Sequence, residues 1–582
     1  VPDREWVRVP VGPHSPQWST ISPERTVLGV VHNVTAATRL FDVLPLLDGD
    51  HRVQTVFTCT GSSPFRAGTD EFLASRGAAV VPWEQAVQLD FDLAVSASYG
   101  GALHEIRAPL MVLPHGMGYN KFFARKPETG NRKPETGNRK PETGNRSAFG
   151  LGAQWLLWDG ELVPSVIVLS HEEQRARLAL SCPEAVPAAL VAGDPCFDRM
   201  LASRPLRDAY RRALGAEGRR LVVVSSTWGG DSLFGRHPDL VRRLVAELPL
   251  DDHRIVLALH PNIWHGHSPW QVRSWLADCE RAGVVVLPPD EGWRAALVAA
   301  DVVVGDHGSV TFYGAALGQP VLLATFPDAA VEPASPVGML GASAPSLDLA
   351  KPLLPQIEHV VDTHHPDDFR SITSLTTSVP GGSAAVLRAA IYRELDLPEP
   401  PALAESPAVP VPPVSPVSPR ASLVRVDLST GTPGEAEAEV VRFPAEPIRH
   451  GLPVPDDTHL RVDTDEKHRR WLELADVLVH RDPDVDAAEW ISAALRAYPG
   501  CVVAAVVTAE GCVAATMDGE IVSFVVPDPR TDPAVCASLL YAWRKEGRLS
   551  TALPERFTVT VGARVTTVIT ERTPEPESSE QD

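Results

Sequence analysis

Three histidines stand where chemistry could be done: His115 before Gly116, His260 before Pro261, and His307 before Gly308. Each closes an apolar run (110–113, 254–259 and 302–304) that reads as a buried strand. A neutral imidazole at such a strand end can take a proton from an attacking hydroxyl near neutral pH. Asp306-His307-Gly308-Ser309 lies between a strand pattern and a helix pattern, where unpaired backbone N–H groups and the helix dipole favour an anion. Thr227, after the apolar run 221–224, adds a hydroxyl in a polar turn that ends in Gly229-Gly230. Gly116 would let a substrate approach the backbone. Taken singly, each of these is what a strand-end turn carries anyway, and a plain βαβ crossover also accounts for 299–324.

The elements that must hold these residues can be read from the spacing of apolar runs. Short runs at 26–31, 54–58, 93–96, 110–113, 165–169, 221–225, 254–259 and 283–287 alternate with helical patterns, which predicts parallel α/β sheets. Val302–Val304 and Val321–Leu323 continue the series, and Gly318 and Pro320 end the helix between them. Nearly 400 residues of this pattern predict two such domains, 1–185 and 186–397. Pro398 to Ala421 holds nine prolines and predicts an extended, semi-rigid linker, with an SH3-type ligand as the alternative.

Residues 422–572 predict a small α+β domain. Helices are expected at 466–480 and 484–498. Strands are expected at 502–507, 511–517, 520–526 and 557–568, with Asp518-Gly519 as a hairpin turn. Residues 573–582 read as a disordered acidic tail. Lys126-Pro-Glu-Thr-Gly-Asn-Arg132 recurs without change to Arg146, and its proline-bearing, polar units read as a solvent-exposed loop at 126–146.

Composition narrows the function. The net charge of −21 argues against a nucleic-acid binder and against more than peripheral contact with anionic lipid. The seven cysteines lack CxxC spacing, so they fit a reducing compartment and supply no zinc site. No metal or cofactor is expected. The opening Val1-Pro2-Asp3-Arg4-Glu5-Trp6 lacks the regions of a secretory leader, and a cytoplasmic protein is expected. Arginine outnumbers lysine heavily, a bias of GC-rich bacterial coding.

In order, His115-Gly116, Gly193–Asp198, Ser225–Trp228, Ala258–Pro261 and Ala300–Asp301 with Gly305–Ser309 resemble the motif series of the CDP-glycerol glycerophosphotransferase family, the teichoic-acid polymerases and primases, over about 90–390. The resemblance implies a GT-B fold, an acceptor domain at 1–185 and a nucleotide-donor domain at 186–397. It implies transfer of a polyol phosphate from a CDP-linked donor to an acceptor hydroxyl, in the making of a cell-wall polymer. His115 would be the base on that hydroxyl, and His260 would contact the donor diphosphate or assist the leaving group. Gly116, Thr227, His307, Gly308 and Ser309 would bind substrate, and Asp198 and Asp306 would shape their turns.

The chain departs from the family where Cys196 and Ala258 replace arginines and where His307-Gly308 replaces Tyr-Ser. Phosphoryl transfer needs positive charge around the moving group, which Lys121 or Arg125 could supply. Two other readings stay open. One is an inverting glycosyltransferase using a nucleotide sugar. The other is a catalytically degenerate GT-B scaffold, whose C-terminal domain binds a protein partner.

Overall fold

The computed structural model describes residues 6–12, 15–63, 68–122, 148–517 and 520–571. The 126–146 repeat, Arg125, the Asp518-Gly519 turn and the acidic tail lie outside the described residues.

Two parallel sheets carry the first 400 residues. The first comprises β1 (Arg25–Val31), β2 (Val53–Cys59), β3 (Val80–Val81), β4 (Leu93–Ser96), β5 (Leu110–Val112), β8 (Val166–Leu169) and β9 (Ala189–Val191). A separate two-stranded ribbon, β6 (Leu157–Trp158) and β7 (Glu161–Leu162), interrupts that series. The strand order is β3-β2-β1-β4-β5-β8-β9. The second sheet comprises β10 (Arg220–Ser226), β11 (His253–Leu259), β12 (Val285–Val286), β13 (Val302–Gly305) and β14 (Val321–Leu323), in the order β12-β11-β10-β13-β14. Helices cover both faces, so the strands read as continuous apolar runs: Val302, Val303 and Val304 are fully buried. Each sheet reverses its order beside its first strand, between β1 and β4 and between β10 and β13. Those reversals open a crevice at the carboxyl ends of the strands.

The lobes exchange chain twice, which moves the boundary expected at 185/186. β9 completes the first sheet by pairing with β8, and the helix Ser383–Glu394 returns to pack Leu387, Ala390 and Ile391 into the core of the first lobe. The proline-rich stretch has no regular structure, as nine prolines dictate, but it is no free spacer. Val409 is buried in the core of the second lobe, and its backbone bonds Ser203 Oγ and the Tyr210 hydroxyl.

The third domain is a closed barrel. Its strands are β15 (Ala421–Thr430), β16 (Glu435–Pro444), β17 (His459–Asp463), β18 (Val477–His480), β19 (Val503–Val507), β20 (Gly511–Thr516), β21 (Ile521–Val525), β22 (Arg556–Val561) and β23 (Arg564–Glu571). They run β15-β16-β22-β23-β21-β20-β19-β18-β17, and β15 pairs β17 to close the ring. The helix Val535–Lys545 is buried around most of its circumference and shares one core with strands from around the barrel. Ala436, Ala438, Ala505 and Ala514 face that core, and their small side chains leave room for a helix.

Two expected elements differ. The helix expected at 466–480 is Arg469–Leu474 followed by β18, because Val477-Leu478-Val479 belongs to the barrel wall. The strand expected at 557–568 is the hairpin β22–β23, turned at Gly562.

Candidate active site

The carboxyl ends of the strands in both lobes converge on one cavity of about 380 Å³. From the first lobe it is lined by Asn33 and Arg39 after β1, Tyr99 after β4, and His115, Gly116 and Lys121 after β5. From the second it is lined by Thr227 after β10, His260 after β11, and His307, Gly308 and Ser309 after β13. All seven residues expected to act on or bind substrate therefore face the same space.

Hydrogen bonds fix complementary tautomers on the two principal histidines. The Ala97 carbonyl lies 3.1 Å from His115 Nδ1 and can only accept, so Nδ1 carries the proton and Nε2 is left as a base. His260 Nδ1 instead accepts from the Asn262 amide at 3.0 Å, capping the helix Pro261–His267, so its Nε2–H is a donor. Burial drives both rings neutral. His115 is lowered to about 4 by desolvation, with Arg39 and Lys121 adding to the effect against the Ala97 bond. His260 is lowered to about 3 by desolvation, then by Lys121 and by His115 across the cleft. His307 is likewise lowered to about 3, chiefly by burial and then by Lys121.

The rest of the cavity is built for negative charge. The helix Ser309–Ala316 begins at its wall, with Gly308 as the cap. A Cβ on Gly308 would come 3.0 Å from Asp306 Oδ1 and 3.3 Å from Thr227 Cβ, so the turn has room only for glycine without adjustment. Lys121 Nζ reaches Thr227 Oγ1 at 3.3 Å; burial lowers its pKa and Asp306 opposes the shift. Buried His307 Nδ1 and Asn120 Oδ1, both at the cavity, have no hydrogen-bond partner among the described residues. Such orphaned polar atoms cost free energy unless a ligand or water satisfies them.

The lobes touch at the rim. Met117 donates its amide to Ser309 Oγ at 3.2 Å, Glu332 N bonds Asn120 O, and Lys121 forms a bridge with Val331. Gly116 has φ +75°, and a Cβ there would sit 2.6 Å from Ser309 Oγ. Only glycine permits that approach.

Asp306 lies behind the cavity wall, while Asp198 sits apart from it at the returning helix. Asp306 accepts amides from Thr227, Leu233 and Gly308, holding the ends of β10 and β13 together. Asp198 accepts from Gly381 N, Ser383 N and Ser383 Oγ, fastening the start of the returning helix.

Cys196 is fully buried, and Arg294 donates Nε–H to its sulfur at 3.2 Å. Arg294, Arg39 and Arg199 converge on buried Asp42 at 2.9, 3.2 and 2.5 Å, tying the lobes with ion pairs. Burial opposes ionisation of Asp42, but the three arginines, Arg294 foremost, outweigh it and hold the carboxylate below its ordinary range. Of these three arginines only Arg39 also lines the cavity. Sequence reasoning missed Arg39, Asn33, Asn120 and Asn262. The available signal was His32-Asn33 at the end of the first apolar run, another strand end at a switch point. Among the described residues no group of three His, Cys, Asp or Glu is placed to hold a metal.

No family model matches the chain, and no curated protein matches it. Solved structures do. A variant of the wall teichoic acid polymerase TagF aligns with 12% identity over 65% of this chain and 90% of that one, at a TM-score of 0.42. UDP-GlcNAc 2-epimerase from Neisseria meningitidis, bound to UDP-GlcNAc, aligns with 13% identity over 64% and 99%, at 0.36. HepE from Anabaena, in complex with UDP and glucose, aligns with 10% identity over 64% and 99%, at 0.34. The likeness is one of overall fold. No helix among the described residues is long and apolar enough to cross a membrane.

Proposed function

We propose that the protein is a GT-B-type transferase that moves a polyol-phosphate group from a CDP-linked donor to an acceptor hydroxyl. The observation that carries this reading is the pairing of His115 Nε2 as acceptor with His260 Nε2–H as donor on opposite walls of one anion-favouring cavity. In the reaction, the acceptor oxygen forms a bond to the distal phosphorus as the bridging P–O bond breaks and CMP leaves. His115 takes the hydroxyl proton. His260, Lys121 and the N-terminal amides of the helix Ser309–Ala316 offset charge on the diphosphate. Thr227 and Ser309 add hydroxyls, and His307 offers Nδ1 to a donor group on the substrate.

A second reading, a catalytically degenerate binding scaffold, is favoured by Cys196 and Ala258. They leave two positions without the cations that the motif resemblance implies. Thermal stabilisation of the purified chain by a donor panel tests both readings. CDP-alcohols are expected to raise the melting temperature in proportion to the logarithm of their concentration. Protection by UDP- or GDP-sugars alone would overturn the CDP-alcohol reading. Stabilisation by none of the donors would leave the binding-scaffold reading in its place.

A further inference from the structure

A second cavity, of about 540 Å³, lies between the edge of the second lobe and the mouth of the barrel. Seven arginines line it against four carboxylates, in a chain whose net charge is −21. Three of the four carboxylates, all but Glu217, are already engaged. Asp251 takes a two-point bond from Arg442 at 2.6 and 2.8 Å. Asp532 accepts from Arg481 at 3.0 and 3.1 Å, and Asp463 accepts from Arg481 at 2.7 Å.

Two of the guanidiniums make no side-chain hydrogen bond among the described residues. Arg461 is 5% exposed, and its one ion pair among the described residues is a long one, 3.6 Å to Asp532. Arg219 likewise lines the cavity without a side-chain hydrogen bond or ion pair among the described residues. Burying an arginine without acceptors is costly, and a planar fork of N–H donors matches the oxygens of a phosphoryl group. The helix inside the barrel adds to the field: its first residue, Val535, and the preceding Asp532-Thr531 line the same cavity, so its positive pole faces inward.

We propose that this mouth is a binding site for a phosphate-bearing ligand, gripped by Arg461 and Arg219 and distinct from the interlobe cleft. Burial and then Arg442 lower the pKa of Arg461, against Asp532 and Asp463, which raise it. The site joins the barrel to the second lobe, so its ligand would fasten one to the other.

Calorimetric titration of the full chain with inorganic phosphate and with pyrophosphate tests this. Arg461→Met and Arg219→Gln are each expected to weaken binding at least tenfold, while Lys121→Met, in the other cleft, leaves this binding in place. In phosphate-free buffer, Arg461→Met is expected to keep a cooperative melt, because Arg442 and Arg481 still pair with Asp532 and Asp463; phosphate should then stabilise the parent only. Glycerol phosphate and a nucleoside monophosphate, titrated in parallel, identify by their relative affinity whether the source is a polyol or a nucleotide. Absence of saturable binding, or binding lost in Lys121→Met and kept in Arg461→Met and Arg219→Gln, would overturn the proposal.

Discussion

His115 and His260 are the same residue type in similar strand-end turns, yet their backbone partners give them opposite tautomers. A carbonyl beside Nδ1 makes one a base; an amide beside Nδ1 makes the other a donor. His115→Ala should lower turnover by roughly 10²- to 10⁴-fold with little change in donor affinity, the range for a lost general base. His260→Ala should weaken donor binding as well, read as a rise in KM. The same rings set the acid sensitivity of the fold. His32, His115, His253, His260, His307 and His459 are all lowered mainly by burial, to about 3 or 4. Above the unfolded value near 6.5, both states are neutral and stability is complete. As pH falls below that value only the unfolded chain binds protons, so stability is lost down to the folded values. Each histidine contributes a loss of about 1.4 kcal/mol per pH unit across that window. Thermal melts between pH 7 and pH 4 should show a steep fall that Asp or Glu titration alone would place lower.

The strand-end turns act as rigid parts because glycine and buried aspartate leave them no slack. Asp306 binds three amides from two β-strand ends, so the anion-facing turn is set before any substrate arrives. Gly116→Ala places a methyl against Ser309 in a left-handed backbone. The expected cost is about 1–3 kcal/mol in urea unfolding, with weaker donor binding because the lobes are pushed apart. In the barrel, Ala438 is 3% exposed and faces the enclosed helix. Ala438→Phe should destabilise this domain by about 1–3 kcal/mol through overpacking, visible as an earlier unfolding transition in calorimetry.

Across the whole molecule, buried charge holds the lobes in register. Asp42 and Arg294 come from different lobes and are both essentially inaccessible, at side-chain exposures of 0% and 1%. Asp42→Ala would strand Arg294, Arg39 and Arg199 without their shared carboxylate. The expected loss is about 3–5 kcal/mol, measured by chemical denaturation, far above that of a surface pair. The strap at Val409 and the bidentate Arg442–Asp251 pair attach the barrel side of the chain to the second lobe. The three domains are therefore joined by specific contacts as well as by sequence.

Apolar runs alone placed most strands of both lobes, though not β3, β9 or the β6–β7 ribbon, because a strand covered on two faces leaves little choice of residue. They also put His115, Thr227, His260 and His307 at strand ends. The barrel was only partly legible: the alternation Glu435-Ala436-Glu437-Ala438-Glu439-Val440 marks a half-buried strand, but closure depends on β15 meeting β17 through pairing that no local pattern records. Which lobe β9 and the helix Ser383–Glu394 join was likewise decided by packing. So were the tautomers of the histidines and the roles of Arg39, Arg294 and Arg461. A side chain's period is written in its neighbours along the chain, whereas its charge partners are residues that only the folded chain brings within a few ångströms.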